Sequence, residues 1–274
     1  MPGPLMTATD LQVGLQDITV IDCRWYLGEP GAGLRAYEAG HLPTASYCSL
    51  DNDLSGPIGP GRHPLPAPGA FAETMERFGV TADRPVVAYD DRGGAVASRL
   101  WWMLTDQGHR AAHVLDGGIQ GWVDAGYDLT TADPTPQRGS FSARPWTGTI
   151  DRNGVAARGR ATAVIDARSQ ERYVGAEEPV DAKAGHIPGA LSLPLTGNLD
   201  KHLRFLDGTM LRERFTDAGI ESGTDVISQC GSGVTACHNI LAMEVAGLGR
   251  PLLYVGSWSD WSSSEMPVAT GSEP

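Results

Sequence analysis

The sequence predicts an α/β fold built twice, as two parallel sheets that each carry helices on both faces. Three observations predict it. The chain resembles itself at four places that occur in the same order in both halves. Short β-branched runs alternate with longer helical patterns in each half, which is the rhythm of a parallel sheet. The length of 274 residues suits about two domains of ordinary size.

The repeat begins with Thr19-Val20-Ile21-Asp22-Cys23-Arg24, which matches Val164-Ile165-Asp166-Ala167-Arg168. Ala39-Gly40-His41-Leu42-Pro43 then matches Ala184-Gly185-His186-Ile187-Pro188. Pro85 to Asp90 matches Asp225 to Cys230, and Gly117 to Trp122 matches Gly256 to Trp261. We therefore expect an N-terminal domain over 1–129, a linker over 130–150 and a C-terminal domain over 151–274. Pro134, Pro136 and Pro145 keep a regular helix out of the linker, so it should run extended from one domain to the other.

Val86-Val87-Ala88-Tyr89 and Val226-Ile227-Ser228 are too short for helices and read as buried strands. Val234, Cys237, Leu241, Val245 and Leu248 follow at spacings of three and four, one apolar face of a helix. Gly247 and Gly249 stand where that helix should end. Leu252 to Val255 then reads as the next strand.

Composition narrows the function. With 41% hydrophobic and 20% charged residues the chain has the make-up of a soluble protein. A formal net charge of -12 disfavours nucleic acid and anionic lipid as partners. The basic residues are nearly all arginine, with lysine only at Lys183 and Lys201. Met1 to Gln12 lacks the pattern of a signal peptide, and no run is long enough to cross a membrane. Cys23, Cys48, Cys230 and Cys237 form no C-x-x-C pair, so we expect no structural metal and reduced thiols in the cytoplasm.

One of these cysteines is set apart by its surroundings. Cys230-Gly231-Ser232-Gly233-Val234-Thr235 lies between a strand and an amphipathic helix, where open α/β sheets bind ligands. Its glycines let successive backbone N–H groups turn inward, and with the helix N-terminus they favour a negative charge at the centre. The thiolate of Cys230 is thus the expected nucleophile. Cys237 belongs to the helix's apolar face, and nothing of this kind surrounds Cys23 or Cys48. Protein tyrosine phosphatases also present a cysteine between strand and helix, but they need an arginine six residues on. Ala236 stands there, which rules that chemistry out.

The Cys-Gly-Ser-Gly-Val-Thr loop, Gly-His-Ile-Pro-Gly at 185–189 and Gly-Ser-Trp-Ser-Asp-Trp at 256–261 resemble the tandem-domain rhodaneses, the thiosulfate and 3-mercaptopyruvate sulfurtransferases. The resemblance spans essentially the whole chain. It implies two rhodanese-like domains, of which only the C-terminal one is catalytic. Aligning Gly93 with Gly233 puts Asp90 opposite Cys230, and a carboxylate cannot carry sulfur. The implied reaction moves sulfur from a small anionic donor to Cys230 as a persulfide, then to cyanide or a thiol, such as that of a thioredoxin-like protein. It needs no cofactor. A sulfur-relay or non-catalytic rhodanese-like binding role is the alternative; a missing cysteine or broken loop would favour the latter, and neither is seen.

The resemblance also assigns the remaining residues. Arg172 matches the arginine that grips the donor's anionic group, while the loop residues Gly231, Gly233, Val234 and Thr235 line the substrate. Ser232, His63 and Asp51 match a serine, histidine and aspartate that move a proton in the mercaptopyruvate type, with one residue of spacing different. That type has a second arginine some nine residues beyond the first; here Asp181 stands there, with Lys183 beyond. His41 and His186 read as turn histidines. Asp22, Arg24, Asp166 and Arg168 read as ties between loops at strand ends. Trp258 and Trp261 suit either core or pocket.

Overall fold

The computed structural model describes residues 3–57, 59 and 61–274. Met1 and Pro2, where the segment read for a signal peptide begins, lie outside the described residues. Among the described residues, two five-stranded sheets form, and every strand pair in them is parallel. The first contains β1 (Leu5–Met6), β2 (Thr19–Asp22), β3 (Ser46–Tyr47), β4 (Val86–Tyr89) and β5 (Ala112–Leu115). Their order across the sheet is β1-β5-β4-β2-β3. The second contains β6 (Thr149–Ile150), β7 (Ala163–Asp166), β8 (Ala190–Ser192), β9 (Val226–Gln229) and β10 (Leu252–Tyr254), in the order β6-β10-β9-β7-β8. The repeat in sequence is thus a repeat of topology.

All residues of β2, β4, β5 and β9 are buried, which is why these strands read as continuous apolar runs rather than alternating ones. The order also places the helices. The chain leaves β7 toward one edge of its sheet, to β8, and leaves β9 toward the other, to β10. Right-handed crossovers running in opposite directions lie on opposite faces, so helices cover both. The carboxyl ends of the adjacent strands β7 and β9 then border a crevice between the two connections.

The chain divides into two compact units. One comprises Met1–Gly56, Pro66–Thr147 and Asp200–Phe205; the other comprises Pro57–Leu65, Gly148–Leu199 and Leu206–Pro274. Two short segments therefore depart from sequence order: 57–65 folds with the second unit and 200–205 with the first. Most of the proline-rich stretch after Leu129 belongs to the first unit, where its aromatic residues pack. Phe141 meets Phe71 edge-on at 5.8 Å, Trp146 stacks on Trp102 at 6.0 Å, and Trp146 Nε1 donates to the Pro66 carbonyl at 2.9 Å.

The helix after β9 runs over Ala236–Val245 and ends before Gly247, whose φ of +68° needs a glycine. It is more deeply buried than a single apolar face implies, because all residues from Ala236 to Met243 are shielded. One side lies on β9 and β10, and the helix Gly208–Asp217 and the turn Leu195–Asn198 cover another. The polar side chains this buries are paired among themselves. Asn198 Nδ2 donates to Asn239 Oδ1 at 2.7 Å, Arg214 Nη1 to Asn198 Oδ1 at 2.8 Å, and Asn239 Nδ2 to the Leu193 carbonyl at 2.9 Å.

The turn and strand-end residues are ties in both units. Arg168 clasps Asp166 at 2.6 Å and the Gly185 carbonyl at 2.8 Å; Arg24 does the same with Asp22 and the Gly40 carbonyl. His186 stacks on Tyr173 and His41 on Tyr37, each at 3.8 Å. Trp258 and Trp261 belong to the core of the second unit.

Candidate active site

β9 ends at Gln229, and Cys230 opens the turn at the crevice edge with only 1% of its surface exposed. The segment after β10 holds it there. The Cys230 N–H donates to Ser257 Oγ at 3.1 Å, and its carbonyl accepts from the Trp258 N–H at 2.9 Å. The Gly231 carbonyl accepts from the Ser259 N–H at 2.9 Å. Ser257 takes the left-handed region, φ +51°, which a non-glycine residue seldom adopts. Its Oγ donates onward to the Tyr254 carbonyl at 2.8 Å.

The two loop glycines serve different ends. Gly233 has φ +76°, and a Cβ there would lie 2.4 Å from the Val255 carbonyl oxygen. This conformation points the Gly233 N–H at Cys230 Sγ, 3.1 Å away. Gly231 is not in the left-handed region. A Cβ on it would instead meet Arg62 Nη2 at 2.9 Å and Arg172 Nη1 at 3.2 Å. Val234 is buried, and Thr235 precedes the first helical residue as its N-cap.

Repeat symmetry shows what such a loop can hold. In the first unit Asp90 occupies the cysteine's place, and four backbone N–H groups converge on its carboxylate. Arg92 and Gly94 donate to Oδ1 at 2.8 and 2.9 Å, and Val96 and Ala97 donate to Oδ2 at 2.8 and 2.9 Å. A carboxylate oxygen and the outer sulfur of a cysteine persulfide both stand two bonds beyond Cβ. The same turn suits an anion of that reach.

Ser232 and His63 are both buried, at 7% and 8% exposure, and Ser232 Oγ shares a 2.8 Å hydrogen bond with His63 Nδ1. The segment 57–65 thus brings His63 to the cysteine loop within one unit. Asp51 belongs to the first unit, where Trp25 Nε1 donates to its Oδ2 at 3.1 Å.

Arg172 sits on the short helix Gln170–Val174 that follows β7, so the crevice rule brings it to the loop after β9. Its Nη2 donates to Glu178 at 2.7 Å and to Asp181 Oδ2 at 3.0 Å. Arg62 Nη1 pairs with the other oxygen, Asp181 Oδ1. Burial raises the Asp181 carboxyl above its ordinary range, opposed by Arg62 and Arg172. Burial also acts to raise Glu178, but the Arg172 hydrogen bond and the N–H groups of Asp181 and Val180 hold it below its ordinary value. Arg62, Ser257 and Ser259 were missed by sequence reasoning. The repeat singles out the 256–261 segment but gives its serines no role, whereas Arg62 carries no local signal.

The fold and site define a class: a duplicated parallel α/β protein presenting one cysteine on a glycine turn at the end of a central strand. The sequence profile of the Rhodanese-like domain matches residues 7–125 and 153–264. The chain is 42% identical over 278 residues to the "Probable 3-mercaptopyruvate sulfurtransferase" of Pseudomonas aeruginosa, covering 97% of this chain and 98% of that one. It is 30% identical to the thiosulfate sulfurtransferase of Rattus norvegicus, over 89% and 84% of the two chains. The solved 3-mercaptopyruvate sulfurtransferase from Leishmania major superposes with a TM-score of 0.84 at 30% identity, covering 95% of this chain and 74% of that one. The chain belongs to the rhodanese family, as a tandem pair of its domains, and is a sulfurtransferase. Among the described residues no helix is long and apolar enough to cross a membrane.

Proposed function

We propose that the chain carries sulfur as a persulfide on Cys230 and takes it from 3-mercaptopyruvate. The Cys230 thiolate attacks the donor's sulfur, the carbon–sulfur bond breaks, and its electron pair leaves as the enolate of pyruvate. A proton completes pyruvate, and the persulfide then passes its outer sulfur to a thiol or to cyanide. Thiosulfate would instead release sulfite, which departs unprotonated. The observation that carries the choice of donor is the 2.8 Å hydrogen bond between Ser232 Oγ and His63 Nδ1 in the loop of the nucleophile. A buried hydroxyl and imidazole can deliver the proton that only the enolate requires. Asp51 is proposed as the carboxylate of that relay on the family resemblance, and Arg172 as a grip on the donor's charged end. A thioredoxin-like thiol is the proposed acceptor, and the four free thiols suit the reducing conditions of a cytoplasm.

Turnover of both donors in one variant tests this reading. His63→Ala should lose about 10²-fold with 3-mercaptopyruvate, the range of general acid–base catalysis, and little with thiosulfate. Equal losses with the two donors would remove the proton-transfer role and leave thiosulfate the better donor.

A further inference from the structure

The family's mercaptopyruvate type has a second arginine where this chain has Asp181, and that loss should leave the donor's carboxylate held by Arg172 alone. The structure supplies another guanidinium at the same place. Arg62 comes from the 57–65 segment, which folds within the second unit. The segment is fastened beside the cysteine loop. The Arg62 N–H donates to Ser259 Oγ at 3.1 Å, and a Cβ on Gly61 would lie only 2.8 Å from the Gly256 carbonyl oxygen. Ser259 in turn holds the Gly231 carbonyl.

Asp181 binds the two arginines to each other, with Oδ1 on Arg62 Nη1 and Oδ2 on Arg172 Nη2. This leaves the opposite ends of both guanidinium groups, Arg62 Nη2 and Arg172 Nη1, directed at Gly231, the residue next to the nucleophile. Neither atom hydrogen-bonds to another described residue. Two planar cations with unpaired N–H groups over one glycine form a fork for a carboxylate. Without Asp181 their like charges would push them apart. Glu178 pairs with Arg172 and also with Arg168, which clasps Asp166, so the connected cluster of three arginines and three carboxylates is neutral overall.

We propose that Arg62 is the second donor-binding cation of this enzyme, paired with Arg172 through Asp181 to grip the carboxylate of an α-keto acid sulfur donor. The inference rests on the reading of Cys230 as the sulfur carrier and deepens it. Asp181 is a positioning residue, replacing the missing arginine by recruiting one from the other half of the sequence.

The test compares 3-mercaptopyruvate with its methyl ester, which keeps the sulfur and the keto group but lacks the charge. Arg62→Ala should lose about ten- to hundredfold in kcat/KM with the acid, mostly through KM, as expected for one charge-assisted contact. Arg62→Lys, which keeps the charge but not the fork, should recover part of that loss. With the ester, wild type and Arg62→Ala should react alike. An unchanged kcat/KM with the acid would overturn the proposal, and so would equal fold losses with acid and ester, which would mark Arg62 as structural. Mass spectrometry of the wild type after treatment with the acid separates the two readings. No persulfide on Cys230 would sink the carrier assignment itself, whereas a persulfide formed equally by Arg62→Ala would sink only the role of Arg62.

Discussion

The four cysteines differ in what surrounds each sulfur. Cys23 and Cys48 are fully buried in the first unit, and burial pushes both thiols up, so they stay protonated and inert. Cys237 is fully buried in its helix and its Sγ donates to the Gly233 carbonyl at 3.5 Å. Cys230 Sγ accepts the Gly233 N–H, its neighbour Gly231 lies against two arginines, and the next residue, Ser232, is bonded to His63. Cys230→Ser should therefore abolish sulfur loading, while Cys23→Ala, Cys48→Ala and Cys237→Ala should each keep it. Intact mass after donor treatment reads the result directly: a gain of one sulfur atom by Cys230→Ser would refute the assignment.

At the scale of the loop, the two glycines should fail in different ways. Gly233→Ala forces a side chain into the left-handed region, at about 1–2 kcal/mol, and drives its Cβ into the Val255 carbonyl. It should lower Tm and abolish transfer together, because the backbone must move to relieve the clash and the N–H is turned away from Cys230. Gly231→Ala meets no backbone strain. Its methyl group would press on the ends of Arg62 and Arg172, which are long side chains able to shift. That variant should keep its Tm and raise KM for an anionic donor. Thermal melts beside steady-state kinetics distinguish the two, and a normal KM in Gly231→Ala would show that the guanidinium groups do not face the donor.

Across the whole molecule the two units share a topology, and two buried histidines of the first unit tie its stability to pH. His109 and His113 lie in the first unit, and burial pushes both below the ordinary histidine value, against the carbonyl groups that hydrogen-bond them. Below about pH 6.5 the unfolded chain binds protons that the folded one refuses, so stability is full above that value and falls on acidification. Each histidine contributes at most about 1.4 kcal/mol per pH unit. The carboxyls raised by burial, Asp90, Asp116 and Asp181, act with the opposite sign as pH falls. Tm should drop between about pH 7.5 and 5.5, and His109→Gln with His113→Gln should flatten that drop. An unaltered slope in the double variant would assign the acid sensitivity elsewhere.

Much of this protein is written locally. The duplicated β-branched runs foretell β4 and β9, because a strand buried on both faces must be apolar throughout. The Cys-Gly-Ser-Gly loop foretells a tight turn, since its conformation needs glycine at 233, although residues 255–259 are what hold it in place. Asp90 opposite Cys230 likewise announces which half lacks the loop cysteine. Periodicity did not foretell the full burial of the helix Ala236–Val245, because its second cover comes from residues 195–198 and 208–217, whose packing has no period of its own. Nor could sequence order assign 57–65 to the second unit. Arg62 and Asp181 are 119 residues apart, and their pairing depends on where folding carries one short segment. The sequence by itself determined the sheets, the glycine turn and the place of Cys230 in it, because neighbouring residues dictate backbone conformation and burial. Only the tertiary structure decided which arginine stands beside Arg172, because a charge cluster is made by proximity in space.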